Sequence, residues 1–459
     1  MLVLNTKKAD FTQGKLFLPI FLYTLPLIAT GILQLLYNMA DQVVVGRFSG
    51  DPNALAAVGS TASTASLFTF FFMGLTAGTS VLVAQMLGAK NDEEVEKAVH
   101  TSVAFGLVVG ILLGVLAFVL ARPLLLLLGT KEELLASATL YVKILALGIP
   151  FSALYNFSAA ILRSAGDSRT PLIILAATGL LNVLLNLLFV IVFDMSVAGV
   201  ALATSCAHIA SATWVLAALS KGNEACRFCL RRVKIHRSSL LRILRVGVPS
   251  AVQGCLFPAT SMFIQSAVNT FPTAAIAGFT VSGTIEGFTY TAMNGYYQAI
   301  VTFTGQNYGA KKRERLSKVF SYTVIQTVAA GLILGWLTLL FAEPLSALFV
   351  DTSQSNATAI IDASVEKMRI ILSVYFTCGL AEILPGYLRG IGRSLLPMLC
   401  SIFGICVLRI VWVLWIFPLL PYSALSLFIS YPISWTAVTL MNACAILFVQ
   451  RKLKKEMVA

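Results

Sequence analysis

Long, continuous apolar segments are the feature that most constrains the fold of this chain. Twelve segments of about 20 or more mainly apolar residues alternate with short polar stretches, and each is long enough to cross a bilayer as a helix. Their apolar residues run together instead of alternating with polar ones, which argues against a β-barrel. The predicted spans are residues 17–46, 55–87, 98–120, 134–161, 171–193, 197–219, 241–268, 276–305, 317–341, 366–388, 396–417 and 425–449. We therefore predict an all-α polytopic membrane protein.

Composition and charge agree with this prediction. Only 12% of the residues are charged, about half of what a soluble domain carries. The net charge of +13 comes from an uneven distribution, because 25 of the 33 Lys and Arg residues fall on one set of alternate loops and the two termini. The positive-inside rule then places both termini in the cytoplasm. We expect the excess charge to meet anionic membrane lipid, and we expect no nucleic-acid partner.

The chain contains an internal repeat. Residues 85–90 and 306–311 both read Q-x-x-G-A-K, residues 162–166 and 388–392 both read L-R-x-x-G, and Pro26 has a counterpart in Pro249. The offsets are 221 to 226 residues. Six spans per half give parallel repeats, so we predict two six-helix lobes related by a pseudo-two-fold axis along the membrane normal. The predicted parts are an N-terminal lobe at 1–219, a basic cytoplasmic linker at 220–240 and a C-terminal lobe at 241–459.

One acidic residue lies deep in the first apolar segment. Gln34, Tyr37, Asn38 and Asp41 recur at helical spacing and form a polar stripe on an otherwise apolar helix. A carboxylate at that depth is expensive and marks a functional site by default, such as an ion or proton site. The alternative is a hydrogen-bonded seam between helices.

An ordered set of motifs resembles the multidrug and toxic compound extrusion (MATE) family of secondary transporters, in its prokaryotic DinF-like branch. The motifs are Asp41 with Val43–Arg47 (V-V-V-G-R), Gln85 and Gln306 in the repeated loops, Leu162–Pro171, Asn182 and Asn186, and Gly199–Thr204. The resemblance covers nearly the whole chain. It implies a MATE-like fold and cation-coupled export of bulky, often cationic compounds across the inner membrane of a bacterial cell.

The same resemblance implies a cation-coupling site in the N-terminal lobe. Its residues here are Asp41, Asn182, Asn186 and Thr204, where many relatives carry Asp in place of Asn186. With a single carboxylate, we expect H+ to be the coupling ion. Na+ is possible, since amide and hydroxyl oxygens are suitable ligands for it.

The second half offers candidates for a substrate cleft. Glu286 and Glu382 are its deep acidic residues, and Tyr296, Tyr297 and Gln298 lie on a stretch that is both aromatic and polar. Each acid has a structural alternative, as a hydrogen-bonding group or as the partner of a basic residue such as Arg409.

Other classes of function lack the residues that they require. An enzyme needs a convergent cluster of catalytic residues, and a zinc site needs about four ligands, whereas the C-x-x-C of Cys226 and Cys229 has only His236 nearby. We expect no metal, no other cofactor, small organic compounds as substrates and a monomer. The alternative transporter is a flippase for lipid-linked oligosaccharides or peptidoglycan precursors, which needs clustered basic residues that the helices do not offer.

Overall fold

The computed structural model of the protein describes residues 10–51, 53–127, 129–222, 226–351, 353 and 355–456. These residues form helices and connecting turns, without strands. In the first half the helices are α1 (Phe17–Phe48), α2 (Ala54–Gly88), α3 (Asp92–Leu127), α4 (Glu132–Ser164), α5 (Arg169–Leu187, continued by a π-helical turn at Leu188–Val192) and α6 (Ser196–Ser220). Between α6 and α7, the described residues of the linker include a short 3-10 turn, Leu230–Arg232.

The second half is divided more finely. Its helices are α7 (Arg237–Val268), α8 (Thr273–Gly309), α9 (Arg313–Leu340), α10 (Ala342–Ala347), α11 (Ala357–Leu372), α12 (Phe376–Gly390), α13 (Leu395–Ser401), α14 (Leu408–Val411), α15 (Ala424–Phe428) and α16 (Ser430–Glu456). A π-helical turn at Ile402–Val407 joins α13 to α14, and a second one at Trp412–Ile416 continues α14, so the three parts form one continuous segment.

Within the described ranges, ten helical segments are long and apolar enough to cross a membrane, and the bent pair α11 and α12 is the eleventh. The eighth predicted span is present as α8, a 37-residue helix that carries Glu286, Asn294 and Gln298 among its apolar residues. The protein is thus a multi-pass helical membrane protein, and the predicted fold class is confirmed. The extreme termini lie outside the described residues.

The tenth span is the one predicted helix that the structure corrects. The sequence predicts a single helix at 366–388, whereas the structure has α11 and α12, which are bent by 48° relative to each other. Two glycines of α9 bring its backbone against the break. A Cβ on Gly335 would overlap the carbonyl of Leu372, and one on Gly331 would lie 2.6 Å from the Cα of Phe376. The helix also begins earlier than predicted, at residue 357.

The repeated motifs have repeated backbone geometry. Lys90 and Lys311 end the two Q-x-x-G-A-K motifs with φ of 55° and 56°, and Gly166 and Gly392 end the L-R-x-x-G motifs with φ of 91° and 82°. At all four places the next N–H bonds to the carbonyl five residues earlier, which closes the helix with a Schellman-type cap. The sequence repeat therefore reflects repeated helix ends.

Small residues allow α3 and α4 to approach closely. Gly106, Gly110 and Gly114 are spaced by four residues on α3, and a Cβ on each would lie within 2.8 Å of α4 atoms, those of Phe157, Pro150 and Ala146 respectively. Stripes of small residues at this spacing are how membrane helices pack, because hydrocarbon supplies no hydrophobic force to hold them together.

The chain forms two compact units. Of the described residues, unit 1 comprises those within 10–13, 32–248 and 309–311, and unit 2 comprises those within 14–31, 249–308 and 312–456. Boundaries fall inside α1 and α7, so each of these helices contributes one part to each unit, and a further boundary separates Gly309, the last residue of α8, from the rest of that helix. Within unit 2, the first part of α1 packs on α8, where a Cβ on Gly295 would lie 2.8 Å from Ile28, and Tyr23 and Thr302 share a 3.3 Å hydrogen bond.

The linker is bound to the beginning of α3 within unit 1. The backbone N–H of Cys229 donates to Nε2 of His100 (3.1 Å), and the N–H of His236 donates to Thr101 (3.0 Å). Arg232 forms a 2.9 Å ion pair with Glu96. Because Nε2 of His100 accepts this bond, its Nδ1 carries the proton and donates to the carbonyl of Glu96.

Candidate functional site

Three helices of unit 1 bring the predicted coupling residues together. Asp41 lies on the second part of α1. Asn182 and Asn186 are four residues apart on α5 and so face the same side of that helix, and Thr204 is on α6. All four are nearly inaccessible, with exposed fractions of 6% for Asp41, 8% for Thr204 and 0% for the two asparagines.

The four side chains form a closed ring of hydrogen bonds. Asn186 Nδ2 donates to Asp41 Oδ1 (2.6 Å) and to Asn182 Oδ1 (3.0 Å). Asn182 Nδ2 donates to Thr204 Oγ1 (3.2 Å), and Thr204 Oγ1 donates to Asp41 Oδ2 (3.3 Å). Both carboxylate oxygens therefore have a donor, which an ionised carboxylate at this depth requires.

The ring also has unused capacity to bind. Asn186 Oδ1 is buried and has no hydrogen-bond partner within the described part of the chain. The site holds one formal charge, that of Asp41, with two neutral amides (Asn182 and Asn186) and one hydroxyl (Thr204) around it. It can therefore take up one monovalent cation, either as a proton on the carboxylate or as an ion held by oxygen ligands.

The rest of the polar stripe on α1 lies outside this ring. Gln34 and Asn38 are exposed, and Tyr37 is partly buried with its ring 3.2 Å from where a Cβ on Gly179 would lie. Gly179 is one turn before Asn182 on α5, so Tyr37 packs beside the ring, where its hydroxyl also interacts with Thr204.

In unit 2 Glu286 has a basic partner. Its carboxylate accepts a hydrogen bond from Ser282 (2.9 Å) and lies 3.6 Å from Lys367 Nζ. Lys367 is 8% exposed, donates to the carbonyl of Phe279 (3.0 Å) and lies 5.2 Å from the ring centre of Phe428. Glu286 thus has the basic partner that its structural alternative requires, and that partner is Lys367 of α11. Arg409 donates to Ser434 (3.0 Å) and lies 4.1 Å from the ring centre of Tyr431.

The remaining cleft candidates lie along α8 and α12. Glu382 accepts a hydrogen bond from Tyr290 (3.2 Å), and Tyr297 accepts one from Arg389 (2.6 Å). Gln298 is partly exposed and donates to Asn294 (2.7 Å). Tyr296 is buried, with 3% of its surface exposed. Glu382 and Tyr297 are therefore parts of one contact between two helices, and Gln298 lies at its edge.

Two basic residues of this region were missed by reasoning from sequence, because both were assigned to helix ends or loops. Lys367 lies in the third turn of α11, and Arg389 lies in the last turn of α12 with 6% of its surface exposed. A signal for Lys367 was available, since Ile360, Ser364 and Ile371 precede and follow it at helical spacing and are all buried.

Comparison with known proteins identifies the family. The profile of the MatE family matches residues 26–188 and 249–415. The chain belongs to the MATE family. The two matches follow the internal repeat, one in each half. MATE proteins are transporters, so the prediction of a transporter instead of an enzyme is confirmed.

Several relatives of this MATE protein carry names that state a role in drug resistance. The probable multidrug resistance protein YoeA of Bacillus subtilis (strain 168) is 27% identical over 391 residues, covering 84% of this chain and 83% of YoeA. The probable multidrug resistance protein NorM of Thermotoga maritima is 28% identical over 396 residues, covering 84% of this chain and 82% of NorM.

Solved structures agree in fold. A crystal structure of MATE in the bent conformation superposes with a TM-score of 0.89 at 22% identity, covering 99% of this chain and 100% of the other. An outward-facing multidrug resistance MATE family transporter of the MOP superfamily gives a TM-score of 0.86 at 23% identity, with coverage of 98% and 99%. At these identities the likeness speaks for the fold alone.

Proposed function

We propose that this MATE protein is an antiporter that exports bulky organic, often cationic, compounds by alternating access. H+ is the favoured coupling ion and Na+ the alternative. The names of its relatives support export, and the ring at Asp41 is the observation that carries the coupling.

Protonation of Asp41 changes the bonds that hold three helices together. The 2.6 Å bond from Asn186 is charge-assisted while Asp41 is ionised, and it becomes a weaker neutral bond when the carboxylate takes up a proton. The new O–H donates to Thr204, which reverses the direction of the bond that Thr204 now donates. The two protonation states thus favour different arrangements of α1, α5 and α6, which is the differential free energy that a two-state transporter needs.

Na+ would act on the same residues. Amide rotation of Asn186 would turn its Oδ1 toward Asp41, and Asn182 and Thr204 offer further oxygens. One carboxylate among neutral ligands gives a weak attraction for Na+, however, whereas a proton neutralises the site fully. This difference in charge balance is the reason for favouring H+.

Transport in proteoliposomes tests the proposal. The purified protein is reconstituted, and uptake of a fluorescent lipophilic cation such as ethidium is followed under a proton gradient alone and under a sodium gradient alone. We expect the proton gradient to drive transport, and we expect Asp41→Asn to abolish it while the protein still inserts and remains monodisperse. Asp51→Asn is the matched control, since Asp51 lies just after α1 and accepts from the N–H of Asn53, a bond that an amide oxygen retains. Normal gradient-driven transport by Asp41→Asn would refute the assignment.

The flippase alternative makes a different prediction. A pyrophosphate group needs several basic side chains that converge on one place. The deeply buried basic residues of unit 2 instead contact separate partners, Glu286 for Lys367, Tyr297 for Arg389 and Ser434 for Arg409. Translocation of a lipid-linked pyrophosphate in the same vesicles, without cation export, would favour the flippase.

The placement in the cell is part of the same proposal. The proposed location is the inner membrane of a bacterial cell, with the protein as a monomer. The distribution of Lys and Arg supports an orientation with both termini cytoplasmic. Protease digestion of tags at either terminus in spheroplasts and in inverted vesicles tests the orientation.

A further inference from the structure

The interior of unit 2 is electrically the opposite of that of unit 1. Among its described residues, unit 1 buries one carboxylate to more than nine-tenths, that of Asp41. Unit 2 buries three basic side chains to that depth, Lys367, Arg389 and Arg409, and among its described residues no Asp or Glu reaches it. The carboxylate of Glu286 compensates the charge of Lys367. The charge of Arg389 needs a compensating group as well.

The hydrogen-bonding partners of Arg389 are neutral. Nη1 donates to the hydroxyl of Tyr297 (2.6 Å), and Nη2 donates to Oε1 of Gln253 (2.5 Å). Its Nε is buried and has no partner within the described residues, and none of their ion pairs involves Arg389. A guanidinium has five N–H donors and a permanent charge. Burying it without a bonded anion is costly, so a group with negative charge would gain much by binding there.

The carboxylate of Glu382 lies on the same helix as Arg389 but is too far away to form an ion pair with it. Glu382 precedes Arg389 by seven residues on α12, and their partners Tyr290 and Tyr297 are also seven residues apart on α8. The two helices therefore run parallel, with one tyrosine holding each charged side chain. Seven residues correspond to about 10 Å along a helix. The contact presents a negative and a positive group about 10 Å apart on one face.

A partly exposed side chain borders this contact. Gln253, on α7, is partly exposed and accepts from Arg389, so rotation of its amide would free Nη2. Between the charged pair, Gly386 leaves room for the Tyr297 ring, whose carbon would lie 3.0 Å from a Cβ there. Rotation of one amide, that of a partly exposed residue, would therefore leave Nη2 of the guanidinium free to bind another acceptor.

We propose that Arg389, with Gln253 and Tyr297, binds the carboxylate of a transported compound, and that Glu382 with Tyr290 binds a cationic nitrogen about 10 Å from it. The planar guanidinium suits two parallel bonds to a carboxylate. This inference rests on the proposed export function and deepens it, since it names the residues that bind the carboxylate and the cationic nitrogen of a compound that carries both charges.

Two dyes that differ at one group provide the test. Rhodamine 110 has a free carboxylate, and rhodamine 123 is its methyl ester, so binding of each to the purified full-length protein is measured by fluorescence anisotropy. We expect Arg389→Gln to weaken binding of rhodamine 110 about tenfold or more and to change that of rhodamine 123 less than about twofold, and Arg389→Lys to be intermediate. Arg163→Gln is the matched control, because Arg163 holds the same place in the L-R-x-x-G motif of unit 1.

Equal losses for both dyes, or no loss for either, in folded Arg389→Gln protein would overturn the carboxylate site. Failure of the wild-type protein to prefer rhodamine 110 over its ester would overturn it as well. Transport separates this inference from the proposed function. Gradient-driven export of rhodamine 123 without rhodamine 110 refutes the carboxylate site and leaves export standing. Binding that depends on Arg389 with no gradient-driven export of either dye supports the carboxylate site and refutes the antiport.

Discussion

Restoring a second carboxylate to the coupling ring should change the ion that the protein uses. In Asn186→Asp, the amide that now donates to Asp41 at 2.6 Å becomes an acceptor of nearly the same size. The ring would hold two acidic groups that face each other, with Asn182 and Thr204 unchanged beside them. Steric fit is kept, so the main effect is electrostatic.

The size of that effect follows from Coulomb's law. Two ionised carboxylates whose charges are about 4 Å apart repel by about 4 kcal/mol at an effective dielectric constant of about 20. This corresponds to a factor of about a thousand in an equilibrium constant. The doubly ionised site is therefore disfavoured unless a cation lies between the carboxylates, and the free energy released on binding Na+ rises by an amount of this order. We expect Asn186→Asp to respond to a sodium gradient where the wild-type protein responds to protons.

The assay is dye transport in proteoliposomes at fixed pH with increasing external Na+, compared with K+ at the same ionic strength. Asn442→Asp is the matched control, because Asn442 is also fully buried and its Nδ2 donates to a backbone carbonyl, that of Val438. An Asn186→Asp protein that shows the same dependence on Na+ as the wild type would refute the electrostatic reasoning. If Asn442→Asp gained the same dependence on Na+, the effect would come from any added buried carboxylate and not from the ring at Asp41.

Three further predictions concern the scaffold. Lys367→Gln leaves Glu286 without its cation and should lower the free energy of unfolding by about 3 kcal/mol. The melting temperature of this variant should therefore fall below that of the Lys367→Gln/Glu286→Gln double variant, and equal melting temperatures would contradict this. His100→Leu removes the side chain that accepts the linker's hydrogen bond, which stabilises the bound linker by about 1 kcal/mol. Trypsin should therefore cleave the arginine-rich linker about fivefold faster, and an unchanged cleavage rate would contradict this. Gly309→Ala places a Cβ against the backbone carbonyl of Gln85 and should sharply reduce the monodisperse yield in size-exclusion chromatography, whereas Gly59→Ala, with open space around it, should not.

The positions of the helices were predictable because hydropathy depends only on local sequence. Most predicted spans end within a few residues of the observed helices, as for 55–87 against Ala54–Gly88. The break at 373–375 was not predictable in this way, since it depends on the close approach of Gly331 and Gly335 on another helix. A bend caused by a tertiary contact leaves no proline or glycine at the bend itself.

The candidate site was predictable only in part. The depth of Asp41 follows from the sequence, but its meeting with Asn182, Asn186 and Thr204 involves separations of 141 to 163 residues and came from the family resemblance. Lys367 and Arg389 were missed because a charge near a predicted helix end is read as solvated. Whether such a residue is buried depends on where the helix begins or ends and on its neighbours, as for α11, which begins nine residues before its predicted start.

The division of α1 between the two units has a consequence for biosynthesis. The first part of this helix packs through Ile28 on Gly295, and Tyr23 bonds to Thr302, so its partners in α8 are translated about 270 residues later. At about 5–20 residues per second, the ribosome needs roughly 15–55 s to reach them. During that time the nascent helix has lipid as its only neighbour on this side. The order of synthesis therefore delays completion of unit 2, although its first residues are among the first to leave the ribosome, and truncated chains that end before α8 should leave the start of α1 open to lipid-soluble crosslinkers.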